Sequence, residues 1–186
     1  HDSRKVQMWC SKDEFFYDVV SYPDGRHTPL KVRSQVGLIP LYAIDWITEQ
    51  DLKDFPNFAT SFMWFMENRA ERAKRCVTKY KGNYVLAMMH FDQAKSLLSY
   101  IWDPDEFLSP FGLRSLSKFH KENPFVFEGR MVDYEPGEES ISLKGGNSNW
   151  RGPIWFPTAY LLIDSLKRFD KIAGPALSIK DKPGKE

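Results

Sequence analysis

The chain has 186 residues, of which 42% are hydrophobic and 27% charged, with a formal net charge of +1. That is enough for one core of ordinary size, and the near-neutral balance with scattered Lys and Arg argues against a nucleic-acid partner. No apolar run approaches the ~20 residues that a spanning helix needs, so no membrane partner is expected. The aromatic content, six Trp, eight Tyr and fourteen Phe, suits carbohydrate handling and an aromatic core equally. Cys10 and Cys76 are far apart in sequence, and no Asn carries Ser or Thr two residues on. A disulfide framework is therefore not expected, and a reducing, cytoplasmic compartment is. The chain opens on His1-Asp2-Ser3 and closes on a polar tail over residues 175–186, so it reads as a piece of a longer polypeptide.

In chain order, residues 15–20 and 28–32 flank Pro23-Asp24-Gly25-Arg26 and predict a hairpin turning at Asp-Gly. Residues 36–48 are apolar and read as helical, with Pro40 near the first turns or at a kink. Residues 50–69 carry Phe58, Phe62, Phe65 and Met66 at amphipathic spacing, and Pro56 makes this helix begin late or in two pieces. Residues 76–80 and 84–89 predict a second hairpin around Lys81-Gly82-Asn83. Asp92 is expected to cap a helix to about Trp102, with Ala94, Leu97, Leu98 and Ile101 on one side. Residues 103–108 make a turn, residues 113–119 a short helical stretch, and residues 125–134 an extended segment. Pro153 opens a last helix to Ile172, whose apolar face is Trp155, Ala159, Leu162, Leu166 and Phe169. Gly174-Pro175 stops it.

The stretch before that helix carries the chemistry. Asn147-Ser148-Asn149-Trp150-Arg151-Gly152-Pro153-Ile154-Trp155 places two indoles, a guanidinium and two carboxamides at a helix entrance. Indole faces stack on a pyranose ring; Arg151 brings five fixed donors, and Asn147 and Asn149 bring donors and acceptors for hydroxyls. Taken singly, each residue has a structural reading: Asn as a cap, Trp as core. Concentrated in so few positions, they point to a site.

Several further segments recur in a recognisable order. They are Phe15-Phe16-Tyr17-Asp18-Val19, Pro23-Asp24-Gly25-Arg26, the run from Pro29 to Leu41, Glu106-Phe107-Leu108-Ser109-Pro110-Phe111-Gly112-Leu113-Arg114-Ser115-Leu116-Ser117 and Val132-Asp133-Tyr134-Glu135-Pro136. With the Trp-Arg-Gly-Pro-Ile-Trp block, this set resembles the microbial and fungal proteins related to glycoside hydrolase family 63, the family of processing α-glucosidase I. The resemblance runs from about Met8 to Ile172 and is weakest over residues 70–98.

The resemblance implies an all-α fold, a sector of an (α/α)6 barrel with β-hairpin loop insertions, over residues 1–174. It also implies hydrolysis of an α-glucosidic or related α-glycosidic bond with inversion, which needs two carboxyl groups ~6.5–9.5 Å apart. Neither carboxyl matches a motif of this chain, so both are expected outside it, and the piece alone is expected to be inactive. What carries over is a pocket wall. Trp150, Arg151 and Trp155 match the family block as substrate-binding residues, with Asn147 and Asn149 beside them. Arg33 and Ser34 either line the same pocket or, in the case of Arg33, form a buried ion pair holding two loops. The implied partners are an oligosaccharide or small glycoside substrate, and either the rest of the parent barrel or a second copy covering exposed apolar faces.

Other candidates have plainer readings. Glu135, Glu138 and Glu139 form a solvated acidic turn, and Asp133 fixes loop geometry. His27, His90 and His120 lack Cys or carboxylates at ligand spacing, so no metal or other cofactor is expected. Gly145-Gly146 lacks a phosphate-loop context. Two other readings stay open: a non-catalytic sugar-binding or scaffolding relative of the same family, and a structural domain whose aromatics are all core.

Overall fold

The computed structural model describes residues 6–136 and 153–174. Trp150, Arg151, Asn147 and Asn149 lie outside the described residues, as do Glu138, Glu139, the Gly145-Gly146 pair and the tail over residues 175–186. The elements run in the order β1 (Trp9–Cys10), β2 (Phe15–Phe16), β3 (Asp18–Ser21), β4 (His27–Leu30), a 3-10 helix (Gln35–Tyr42) and β5 (Ile44–Ile47). Helices α1 (Glu49–Asp54), α2 (Pro56–Asn68) and α3 (Ala70–Cys76) follow, then β6 (Val77–Tyr80), β7 (Asn83–Ala87) and α4 (Phe91–Ile101). The chain continues through β8 (Leu108–Ser109), β9 (Gly112–Leu113), a 3-10 turn (Lys118–Lys121), β10 (Phe125–Phe127), β11 (Arg130–Val132) and α5 (Phe156–Ala173).

The expected all-α toroid is overturned. Among the described residues, eleven short strands form five antiparallel sheets beside five α-helices, a mixed α/β architecture. The reason is visible in residues 36–48. Pro40 cannot donate to an α-helical ladder, and the segment winds as a 3-10 helix that stops at Tyr42. Ile44 and Ile47, on opposite faces of the strand that follows, are both buried, while Asp45 is exposed, so pairing rather than a simple alternation of apolar and polar residues makes this segment a strand. β5 pairs with β7 from Ile44↔Ala87 to Ile47↔Tyr84, adding a third strand to the hairpin of β6 and β7.

Chain contacts divide the molecule into two compact units, residues 1–39 with 96–161 and residues 40–95 with 162–186. In the second unit, Ile47, Phe62 and Val77 form the buried centre, with Leu52, Phe65, Met66, Tyr84 and Leu86 packed on it. The ring of Phe62 meets that of Tyr84 edge-on at 5.0 Å. Thr48 starts α1 with a capping box: its hydroxyl accepts from the Asp51 N–H at 3.0 Å, and the Asp51 carboxylate accepts from the Thr48 N–H at 2.8 Å. The Thr48 hydroxyl, which donates to the Asp51 carboxylate at 2.7 Å, and the Thr48 N–H together hold that carboxyl below its ordinary range. As expected from Pro56, the helical stretch after Thr48 comes in pieces, with Pro56 in the first turn of α2.

In the first unit, Phe15 is fully buried and gathers Tyr17 at 5.3 Å, Tyr100 at 5.2 Å and the parallel ring of Phe107 at 6.0 Å. Gly37 passes so close that an added Cβ would overlap the Phe15 ring and the Phe16 carbonyl oxygen. The hairpin of β3 and β4 has the predicted turn, with Gly25 at φ +82°. Residues 113–119 are not helical. They form an extended strip from Leu113 to Ser117, and the 3-10 turn begins at Lys118, where the Ser117 hydroxyl accepts from the Phe119 N–H at 3.0 Å.

Candidate functional site

Of the residues nominated as substrate-binding, Arg33, Ser34 and Trp155 fall within the described residues, and the Leu113–Ser117 strip relates them to one another. Ser34 forms an antiparallel bridge with Leu116, and Arg114 forms another with Ile154. The Gln35 N–H donates to the Ser115 carbonyl at 2.9 Å, the Ser117 N–H to the Arg33 carbonyl at 2.8 Å, and the Ser115 N–H to the Pro153 carbonyl at 2.9 Å. One strip thus holds Arg33–Gln35 along one edge and Pro153–Ile154 along the other. Backbone pairing leaves no slack in where Trp155 leaves the strip and α5 begins.

Gln35 locks this arrangement from inside. It is fully buried; its amide N–H donates to the Leu113 carbonyl at 3.0 Å, and its amide oxygen accepts from the Thr158 hydroxyl in the first turn of α5. The same hydroxyl proton is shared with the Trp155 carbonyl, 2.9 Å away. This shifts the buried face of α5. Thr158, Leu162, Ser165 and Phe169 are the residues buried, so two hydroxyl residues stand where an all-apolar stripe was expected. Helix α5 also starts at Phe156, not Pro153, because Pro153 and Ile154 are taken up by the strip. At Gly112, with φ +127°, an added Cβ would lie only 3.3 Å from the Ile154 side chain, so glycine serves both the backbone conformation and the close approach to the block.

Behind the strip lies an ion pair. The Arg33 guanidinium donates to Glu106 Oε1, and the Ser117 hydroxyl donates to Glu106 Oε2; the Arg33 and Glu106 side chains are 15% and 12% exposed. The guanidinium also lies 3.9 Å over the Phe119 ring and 5.1 Å from the centre of the Tyr100 ring. Burial alone would weaken the Arg33 cation, but Tyr17 and Glu106 more than offset it and its pKa lies above the ordinary value. Burial pushes the Glu106 carboxyl upward, against the pull of Ser117 and Arg33, and pushes Tyr17 and Tyr100 up to about 12. Arg33 therefore adopts the loop-holding arrangement, its guanidinium committed to Glu106. Ser34 is half-buried, and its hydroxyl accepts from the Val36 N–H at 3.3 Å.

Two residues that sequence reasoning did not nominate complete the scaffold. The Arg114 guanidinium donates to the carbonyls of Pro104 at 2.9 Å, Glu106 at 3.1 Å and Leu108, and its Nε donates to the Tyr134 hydroxyl at 3.3 Å. The fully buried His120 accepts the Arg33 N–H on Nε2 at 2.8 Å and donates from Nδ1 to the Asn123 carbonyl at 2.9 Å. Those partners require the neutral ring, and burial holds its pKa below the ordinary value. The signal for Glu106, Arg114 and Ser117 lay in the Glu106-to-Ser117 motif; nothing in the sequence marks His120. Asp133, expected to fix loop geometry, keeps one buried carboxylate oxygen without a hydrogen-bond partner among the described residues.

Comparison with known proteins agrees with the motif order. The sequence model of the Glycosyl hydrolase family 63 C-terminal domain matches residues 83–182, which include the strip, the Trp-Arg-Gly-Pro-Ile-Trp block and α5. The chain is also 41% identical over 174 residues to the uncharacterized protein YMR196W of Saccharomyces cerevisiae. That alignment covers 89% of this chain but 16% of the relative's length. The matched residues span more than half of the chain, and the chain belongs to the glycosyl hydrolase family 63 C-terminal domain family.

Proposed function

We propose that the chain forms a sugar-binding wall of an inverting α-glycosidase acting on α-glucosidic or related α-glycosidic bonds in oligosaccharides. The observation that carries this reading is the double pairing of the Leu113–Ser117 strip, with Ser34 on one side and the Pro153–Ile154 entrance to Trp155 on the other. In this reading Trp150 and Trp155 stack on sugar faces. Arg151, Asn147, Asn149 and Ser34 meet hydroxyls, and Arg33 serves the wall from behind through Glu106. The catalytic acid and base, ~6.5–9.5 Å apart as inversion requires, belong to residues outside this chain. Family membership supports the glycosidase chemistry, and the aromatic, guanidinium and amide composition of the block supports a neutral polyol as the ligand.

Trp155→Ala in the full-length protein tests the wall. A rise of about tenfold in KM, with the fold intact by circular dichroism, is the outcome this reading requires, given the worth of a stacked aromatic face. An unchanged KM would remove Trp155 from the site.

A further inference from the structure

Helix α3 and strand β6, both in the second unit, carry a local excess of positive charge. Residues 69–81 hold six cations, Arg69, Arg72, Lys74, Arg75, Lys79 and Lys81, against one carboxylate, Glu71, so this stretch carries +5 in a chain whose formal net charge is +1. All six cations are exposed. Lys74 meets Glu71 at 3.1 Å in a pair that is itself out in solvent, and the other five have no carboxylate partner among the described residues.

The fold gathers these charges on one surface. α3 buries only Ala73, and Arg72 and Arg75 stand one turn apart on its exposed side. β6 is an outer strand of its sheet, where a lysine such as Lys79 keeps an open edge from pairing with another chain. That requirement does not extend to the three arginines of the helix side. Apolar side chains are set among the cations. The Arg69 guanidinium lies 6.0 Å over the ring of Trp64, which is 55% exposed. The Val77↔Leu86 pairing brings the chain leaving β7 to the end of α3, and there Met88 is 70% exposed. At the Lys81-Gly82 turn the Glu49 carboxylate ends the basic surface.

We propose that this face docks on an anionic lipid surface, with the arginines and lysines at the headgroup phosphates and carboxylates and Trp64 and Met88 at the boundary with the acyl chains. Contact of this kind is peripheral and needs no spanning helix, and none of the described helices is long and apolar enough to be one. An acidic protein segment or a nucleic acid also offers anions. Only a bilayer places hydrocarbon directly beneath them, which is what an exposed indole and an exposed thioether beside the cations call for. The proposal does not depend on the sugar-wall reading.

Flotation of the full-length protein with lipid vesicles is the test. Vesicles of equal parts phosphatidylcholine and phosphatidylserine should hold at least about tenfold more protein than vesicles of phosphatidylcholine alone, and added salt should release it. Arg72→Glu combined with Arg75→Glu should bring binding down to the level of the neutral vesicles, with the fold intact by circular dichroism. Trp64→Ala should weaken binding severalfold. Equal binding to the two kinds of vesicle, including none to either, overturns the proposal, and so does binding that survives the double reversal. A Trp64→Ala variant that binds as the wild type does overturns the lipid boundary in favour of a bare charge contact. Binding to poly-glutamate or to an oligonucleotide without binding to vesicles also overturns it, and makes the face a site for a soluble polyanion.

Discussion

The amide oxygen of Gln35 accepts the hydroxyl hydrogen of Thr158, a residue 123 positions further along the chain. That bond, with the one from Gln35 to the Leu113 carbonyl, joins the segment after Ser34, the strip and the first turn of α5 at one fully buried side chain. Gln35→Leu removes both bonds at similar volume and leaves the Leu113 carbonyl without this donor. A loss of about 2–4 kcal/mol in chemical denaturation is expected. Thr158→Val should cost less, and the double variant should show a coupling of about 1 kcal/mol. Strict additivity would contradict the link.

The Arg33–Glu106 pair predicts an order of severity. Glu106→Ala strands a largely buried guanidinium and should destabilise by about 3–5 kcal/mol. Ser117→Ala removes a hydrogen bond to a charged group and the cap on the Phe119 N–H, but leaves the Arg33–Glu106 pair, and should cost less, about 1.5–3 kcal/mol. Urea melts of the two variants decide the matter; equal midpoints would mean that Glu106 does not hold Arg33.

His120 sets a pH dependence. Its folded pKa lies below 6.5 because the ring is buried, so the unfolded chain takes up the proton first as pH falls. The stability it contributes is complete above about pH 6.5 and declines as pH drops from there towards the folded pKa. The carboxyls of Asp13, Asp24 and Asp51, all held low by their hydrogen bonds, act only below their ordinary value of 3.8. The Glu106 carboxyl, raised by burial, favours the folded state as pH falls towards 4.5 and opposes His120 equally in wild type and variant, so the difference between the two profiles reports the ring. Thermal melts between pH 7 and 5 should show Tm falling in the wild type and a flatter profile in His120→Gln. Parallel profiles would rule out the buried neutral ring.

Gly37 and Gly129 separate crowding from backbone strain. An alanine at Gly37 meets the Phe15 ring and the Phe16 carbonyl oxygen and should cost about 1–3 kcal/mol through overpacking. Gly129 has φ +75° and nothing within 4 Å of its added Cβ, so its alanine costs only the left-handed backbone, about 1 kcal/mol. The reverse order in a denaturation series would contradict the close approach of Gly37 to Phe15.

What the sequence made legible was local. The Asp24-Gly25 turn, the hairpin around Lys81-Gly82, the break at Pro56 and the last helix follow from turn chemistry and periodicity, and all are present. The third strand of the β6–β7 sheet is a different matter. Residues 44–47 pair with residues 84–87, and a short apolar run does not say whether its partner is its own turn or a strand forty residues away. The same limit hid the strip: residues 113–117 are shaped by pairing with residues 33–35 and 153–154, not by their own propensity. The family motifs pointed to the right segments, yet the toroid inferred from them failed because the loops between helices carry more strand than the helical pattern suggested. His120 was invisible because its role comes from two backbone partners.

The most direct test of the sugar wall is sugar release by the full-length protein from α-gluco- and α-manno-oligosaccharides, with the product anomer followed by proton NMR, for the wild type and Arg151→Ala side by side. Release of the β-anomer by the wild type, reduced at least a hundredfold in Arg151→Ala with the fold intact, is the predicted result. Release of the α-anomer would contradict inversion, and no release from any of these sugars by folded wild-type protein would contradict the account as a whole.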